Sequence, residues 1–280
     1  MHLTIIQFTG FLFAGALAAG FLGALTGLGG GVVIVPLLTI VFGVDIRYAI
    51  GASLITVIAT SSGAASAYVR EGYSNIRIGM LLEIATTIGA LVGAYLGGIL
   101  SPSFIAIIFG LVLVYSAYLS SRPRAEHAPA HTSDSLALRL KLPSSYPVKG
   151  EMVDYGVHNV PAGFGLMGLA GVLSGLLGIG SGAVKVLAMD HAMKLPFKVS
   201  TTTSNFMIGV TAAASAGVYL HRGYIDPLLA MPVVLGVLAG SLTGAKVLGR
   251  SSPKLLRIVF SIVIFVLAIE MIYNGATGRI

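Results

Sequence analysis

The chain has 280 residues, 56% of them hydrophobic and 10% charged, with a mean hydropathy of +0.94. Soluble domains carry roughly 25% charged residues, so this composition excludes a soluble fold and marks an integral membrane protein. The net charge of +7 lies mostly in short loops, where orientation signals belong rather than nucleic-acid contacts, and the absence of cysteine excludes disulfides and thiolate metal centres.

The N-terminus, MHLTIIQF, has no Lys or Arg ahead of its apolar run, so no cleaved signal peptide is predicted. Leu3–Phe42 is apolar but interrupted by GALTGLGGGVVIVP (Gly23–Pro36). Three unbroken helices are predicted next, at Ala49–Tyr68, Ile78–Leu100 and Phe104–Leu119. Each approaches the roughly 20 residues that cross a hydrocarbon core about 30 Å thick. Ser120–His158 opens with SSRPRAEHAPAHTSDS, is polar and Pro-rich, and contains no spanning run. It is predicted as a linker outside the bilayer, with a short interfacial helix at Leu136–Leu142. A second broken segment follows at Asn159–Met193, interrupted by SGLLGIGSGAVKVL (Ser174–Leu187). Helices at Val199–Leu220, Leu228–Leu248 and Leu255–Tyr273 complete the chain. Membrane β-strands would alternate in segments of about ten residues, and these runs do not. The expected fold class is an all-α polytopic membrane protein of two homologous halves. Residues 1–119 form the first membrane repeat, 120–158 the linker and 159–280 the second repeat.

The repeat is explicit. At an ungapped offset of 151 residues, Gly27, Gly29 and Gly31 pair with Gly178, Gly180 and Gly182, Ser53 with Ser204, and Tyr68 with Tyr219. Gly72-Tyr73 meets Gly223-Tyr224, and Ser101-Pro102 meets Ser252-Pro253. A single offset that matches polar and aromatic positions argues against chance in a Gly/Ala-rich background. Loop charge then separates parallel from inverted halves. With each broken segment folding back on one side, twelve Lys and Arg face the linker side and three (Arg47, Arg222, Arg279) the other. With parallel halves the split is nine against six. The basic side is cytoplasmic, so inverted repeats with a cytoplasmic linker, in the plasma membrane, are expected.

Glycine in a helix interior costs about 1 kcal/mol relative to alanine, and loose backbone inside a bilayer survives only where protein or water surrounds it. Two glycine breaks in matching places therefore point to a site. Half-helices leave N–H groups and a positive dipole end free for an anion, and the missing Cβ lets backbone approach a ligand. Gly29, Gly30 and Gly31, with Gly180, Ser181 and Gly182, are the candidate lips of one anion site. The competing explanation is tight helix crossing through small residues.

The run GLGGGVVIVP at Gly27–Pro36, with its second copy GIGSG at Gly178–Gly182, resembles the TauE/SafE sulfite exporter family of membrane proteins. The resemblance extends over nearly the whole chain outside the linker, in length, two halves and a glycine motif opening each. It implies transport of sulfite, sulfonates or related small organosulfur anions. The second copy departs from the first in Ser181, in Lys185 for Ile34 and in Leu187 for Pro36, which bears on the cargo.

Ser53, Thr202, Ser204 and Asn205 can donate hydrogen bonds to sulfonate oxygens without adding charge. Interhelical hydrogen bonding is their alternative role. Lys185, within one turn of the second break, would supply positive charge to the anion or else snorkel to the surface. Glu83, Asp190 and His191 are the candidate proton carriers. The expected activity is secondary transport, most simply export, by alternating access. A dianion leaving a negative interior gains roughly 4.6 kcal/mol at 100 mV, about 2.3 per charge. Neither H-E-x-x-H, G-x-S-x-G nor a Walker A motif is present, which disfavours an intramembrane enzyme and direct use of ATP. An anion channel is the rival reading. No cofactor and no metal are expected; the partners are the anion and the lipid bilayer.

Overall fold

The computed structural model describes residues 5–26, 31–70, 72–121, 132–148, 151–248 and 253–280. In the first half, α1 (Ile5–Thr26) leads to a short helix α2 (Gly31–Pro36), which continues as a π-helical stretch, Leu37–Val41. Helices α3 (Ile46–Arg70), α4 (Ile76–Gly97) and α5 (Pro102–Ser121) follow. The second half repeats the plan with α7 (Val160–Leu177), α8 (Gly182–Leu187), a π-helical stretch Ala188–Ala192, then α9 (Phe197–His221), α10 (Pro227–Leu248) and α11 (Pro253–Ala276). The starts of α2, α3, α4 and α5 lie 151 positions before those of α8, α9, α10 and α11. Even the bonds that close the π-helical stretches match: Val44 N donates to Leu38 O, and Leu195 N to Met189 O, both at 3.0 Å. Pro36 is not the common cause of these stretches, because Leu187 occupies its place in the second half.

The molecule is mostly helical, and α1, α4, α7 and α10 each contain a run long and apolar enough to cross a bilayer. This supports a membrane protein directly. Helices α3 and α9 are as long but less apolar. They carry Ser53, Thr56, Thr60, Ser61, Thr202, Thr203 and Ser204, and they pack on each other inside the bundle.

Packing exchanges elements between the halves. Helix α1 lies along α10, α7 along α4, α5 against α11, and α3 against α9. Small residues permit the approach. A methyl on Gly93 would collide with the Val172 carbonyl, one on Gly89 with that of Gly168, and one on Gly240 with that of Leu17. Contacts along these seams give directions. Thr86 lies against Gly171 and Ala90 against Gly175, so α4 and α7 run parallel. Phe13 meets Gly236 and Leu17 meets Gly240, so α1 and α10 also run parallel. Gly110 instead meets Ala268 while Ser103 meets Gly275, so α5 and α11 run antiparallel. Helices α3 and α9 are antiparallel too, since Gly51 near the start of α3 abuts Tyr224 just beyond the end of α9. On the outer surface α4 exposes Met80, Ile84, Ile88, Leu91 and Tyr95 at helical spacing, a stripe suited to lipid.

The linker departs from expectation. Its short helix, α6, spans Ser135–Arg139, and a β-hairpin follows, with β1 (Ser144–Val148) antiparallel to β2 (Glu151–Tyr155). Ala137, Leu142, Tyr155 and Val157 are buried in one cluster with Ile78, Leu82, Val160, Met189 and Met193. Asn75 ties this cap to the bundle. Its side chain accepts from Ile78 N and donates to Leu142 O (3.0 Å) and Tyr155 Oη (2.8 Å). Burial pushes the Tyr155 phenol above its usual range, although the Asn75 and Ser144 hydrogen bonds oppose this. The polar, Pro-rich composition hid the hairpin because its partners lie in distant helices.

Candidate anion site at the two helix breaks

The second break is built by backbone conformation. Gly178 (φ 67°), Gly180 (φ 70°) and Ser181 (φ 45°) are all left-handed, and Gly178 N closes α7 by donating to Ser174 O at 2.8 Å. Such angles suit glycine and strain serine. Ser181 is nevertheless buried there, and its Oγ has no hydrogen-bond partner among the described residues. Of the first break, Gly29 and Gly30 lie outside the described residues, and Gly31 opens α2.

The two breaks meet. Ser53 Oγ, fully buried on α3, donates to Gly178 O at 2.8 Å and lies 3.4 Å from Gly31 O. One hydroxyl thus touches a carbonyl of each broken segment. Its counterpart, Ser204 Oγ on α9, lies 3.4 Å from Gly182 O. Gly31 has no room for a side chain: an added Cβ would sit 2.8 Å from Ser53 Oγ, 2.8 Å from Val57 and 3.3 Å from Gly178 O. Val57 and Ile208, matching residues one turn beyond Ser53 and Ser204, close over the breaks against Gly31, Gly180 and Gly182.

The structure spreads the other expected residues. Thr202 Oγ1 bonds Tyr73 O at 3.0 Å and its own helix at Lys198 O, tying α9 to the chain before α4 rather than to the breaks. Asn205 is half-buried beside Ser204 on α9. Lys185 does not snorkel; it is fully buried and donates to Thr211 Oγ1 at 2.6 Å. Glu83, also buried, accepts from Thr211 Oγ1 at 2.7 Å. His191 is largely exposed and pairs with Asp190 at 4.0 Å, where it lines a cavity of about 370 Å³ with Leu166, Val184 and Leu187. Among the described residues no group of three or more His, Asp or Glu is placed to hold a metal ion.

Thr211 was missed by the sequence reading. The candidates on this helix were Thr202, Ser204 and Asn205, whereas helical spacing from Ser204 to Thr211 and Ser215 marks the face that turns inward.

Comparison with known proteins identifies a family of membrane transporters. A family model described as sulfite exporter TauE/SafE matches residues 12–271. The chain is 28% identical to a probable membrane transporter protein, YunE, of Bacillus subtilis, covering 92% of this chain and 95% of that one. It is 26% identical to a probable membrane transporter protein of Xylella fastidiosa strain 9a5c (91% and 92% covered), and 28% identical to the probable membrane transporter protein MJ0441 of Methanocaldococcus jannaschii (90% and 91%). No solved structure gives a significant match. With its glycine breaks, its duplicated helices and a family match over nearly its full length, the chain belongs to the sulfite exporter TauE/SafE family of membrane transporters.

Proposed function

We propose that the protein is a secondary transporter, working as an exporter, that carries a small sulfur-containing anion such as sulfite or an organosulfonate across the plasma membrane. The observation that carries this reading is Ser53, which touches a carbonyl of each break from a fully buried position. Two interrupted helices brought together at one hydroxyl are the arrangement in which transporters bind substrate. Gly29, Gly30, Gly31, Ser53, Gly180, Ser181, Gly182, Ser204 and Asn205 would line the site, and Lys185 would bias it toward anions. The unpartnered hydroxyl of Ser181 is a donor that a sulfonate oxygen would satisfy.

Inverted repeats and alternating access belong to the same proposal. Corresponding helices that run antiparallel, α3 with α9 and α5 with α11, support an axis in the membrane plane. The twelve-to-three charge split supports a cytoplasmic linker. Val57 and Ile208 packed over the breaks fit an occluded carrier better than an open channel.

The test is flux in liposomes with sulfite, sulfoacetate, taurine and sulfate. Saturable uptake of at least one, with exchange for the same anion on the opposite side, is expected. Gly31→Val should abolish it, because a branched side chain has no space there. Unsaturable, conductive flux would mean a channel. Transport of none of the four would end the reading.

A further inference from the structure

Lys185, Thr211 and Glu83 join three helices from both halves: α8, α9 and α4. Thr87 Oγ1 also donates to Glu83 Oε1, at 3.1 Å. The other carboxylate oxygen, Glu83 Oε2, is buried without a hydrogen-bond partner among the described residues. Glu83 and Thr87 are the polar members of an otherwise apolar open groove of about 520 Å³ on the outer face, lined also by the exposed Met80, Ile84, Ile88 and Val210 and by Phe206. Along α4, Glu83 stands about 10 Å of helix rise in from Ile76.

The opposite half has no such charges. At the 151-residue offset, Lys185, Thr211 and Glu83 match Ile34, Thr60 and Val234. Ile34 is as fully buried as Lys185, so this position packs with an aliphatic side chain. Buried ionisable groups in a membrane are costly and mark function. Packing does not require these charges.

We propose that Glu83, Thr211 and Lys185 form a proton-coupling site, in which Glu83 binds one proton as the anion binds near Lys185. This rests on the anion-transport reading above. While Glu83 is ionised, its charge compensates Lys185 through Thr211, and an arriving anion would add uncompensated charge in a low dielectric. Once Glu83 is protonated at Oε2, the positive charge of Lys185, held at Thr211 Oγ1, is left uncompensated for an anion at the break, from which the lysine backbone is one turn away: Lys185 N bonds Ser181 O at 3.0 Å. Thr211 has a second acceptor ready, Met207 O at 2.9 Å, to which its hydroxyl proton can turn. Proton and anion each raise the affinity for the other, a reciprocal coupling. The proton leaves Glu83 on the far side with the anion, so one proton crosses per anion, and a dianion then carries one net negative charge outward, a direction the interior-negative potential still favours.

Few other titratable groups face the cluster. Helix α7, packed along α4, has none between Val160 and Leu177. On α4 itself Arg77 donates to Lys141 O. On α9, Lys198 lies over the Tyr73 ring at 3.7 Å and His221 ends the helix. Asp190 and His191 follow Lys185 on the same arm and pair with each other.

The test uses the same four anions in liposomes, with membrane potential clamped at zero and a pH gradient imposed. Wild-type protein is expected to concentrate the carried anion up to about tenfold per pH unit, the limit for one proton per anion. Glu83→Gln keeps a hydrogen-bonding side chain and is expected to exchange the anion but bring it only to equal concentrations, whatever the gradient. Comparing the two separates protons carried by the protein from those carried by a titrating anion such as sulfite. The double variant Glu83→Val/Lys185→Ile, copying the opposite half, is expected to fold with wild-type yield but to lose both accumulation and affinity for the anion, because the charge that Lys185 supplies is gone. Accumulation by Glu83→Gln equal to wild type overturns the proposal. Wild-type flux indifferent to the pH gradient also overturns it while leaving anion transport intact, whereas no flux of any anion removes both.

Discussion

Ser53 has the most consequential hydroxyl in the chain. Its repetition as Ser204 was legible in the sequence, but its two carbonyl neighbours, Gly178 and Gly31, come from opposite halves and appear only on folding. Ser53→Ala removes the donor from a buried carbonyl, which costs about 1–3 kcal/mol. A lower unfolding temperature in detergent and reduced flux are the expected result. Lys185 was readable as an anomaly against Ile34, yet its depth and its link to Glu83 required Thr211, seven residues along α9 from Ser204. Asp134, in the linker, makes a pH prediction. The Asn159 backbone N–H at 2.6 Å, with His158 and Lys194 nearby, holds its carboxyl below the usual range. A depressed folded value adds stability above the unfolded value, about 3.9, that is lost as pH falls through the folded one. Corrected for the intrinsic exchange rate, amide protection at the hairpin should therefore stay constant around neutral pH and fall only below about pH 4. Asp134→Asn should lose that acid-dependent step.

Among elements, predicted helices came within a few residues of those observed, because unbroken apolar runs of spanning length leave few alternatives. Their partners were not readable: glycines such as Gly89, Gly93 and Gly240 permit close crossing, but nothing local to them says which helix crosses. Gly93→Val should prevent folded protein from accumulating, since its Cβ would strike the Val172 carbonyl. Gly165→Ala, with nothing near, should leave both yield and flux unchanged. Two matching cation–π contacts close the ends of α3 and α9. Arg47 lies 5.7 Å from the Tyr224 ring and Lys198 lies 3.7 Å from that of Tyr73. Each contact is worth about 0.5–2 kcal/mol. If the ends open alternately, Tyr224→Ala should shift the open population at its end by roughly two- to thirtyfold. Labelling of Asn205→Cys by a membrane-impermeant thiol reagent, in this cysteine-free chain, reads the shift.

Across the whole molecule, the decisive relation is between halves. The charge split and the antiparallel pairs α3–α9 and α5–α11 argue independently for inversion, since one comes from loops and the other from packed cores. Ser101→Cys should label from outside and Ser252→Cys, outside the described residues, from the cytoplasm. Labelling of both from one face would contradict inversion. Accessibility in intact cells and in inverted vesicles distinguishes the two.

Sequence alone determined the solvent, the duplication, the places where helices break and the family. All of these are written in local composition and in matches at a constant offset. Tertiary structure alone decided which helices cross, that one serine touches both breaks, that Lys185 and Glu83 share a threonine, and that the linker folds into a docked hairpin. These are contacts between residues far apart in the chain. Their free energy depends on geometry that no single stretch of sequence encodes.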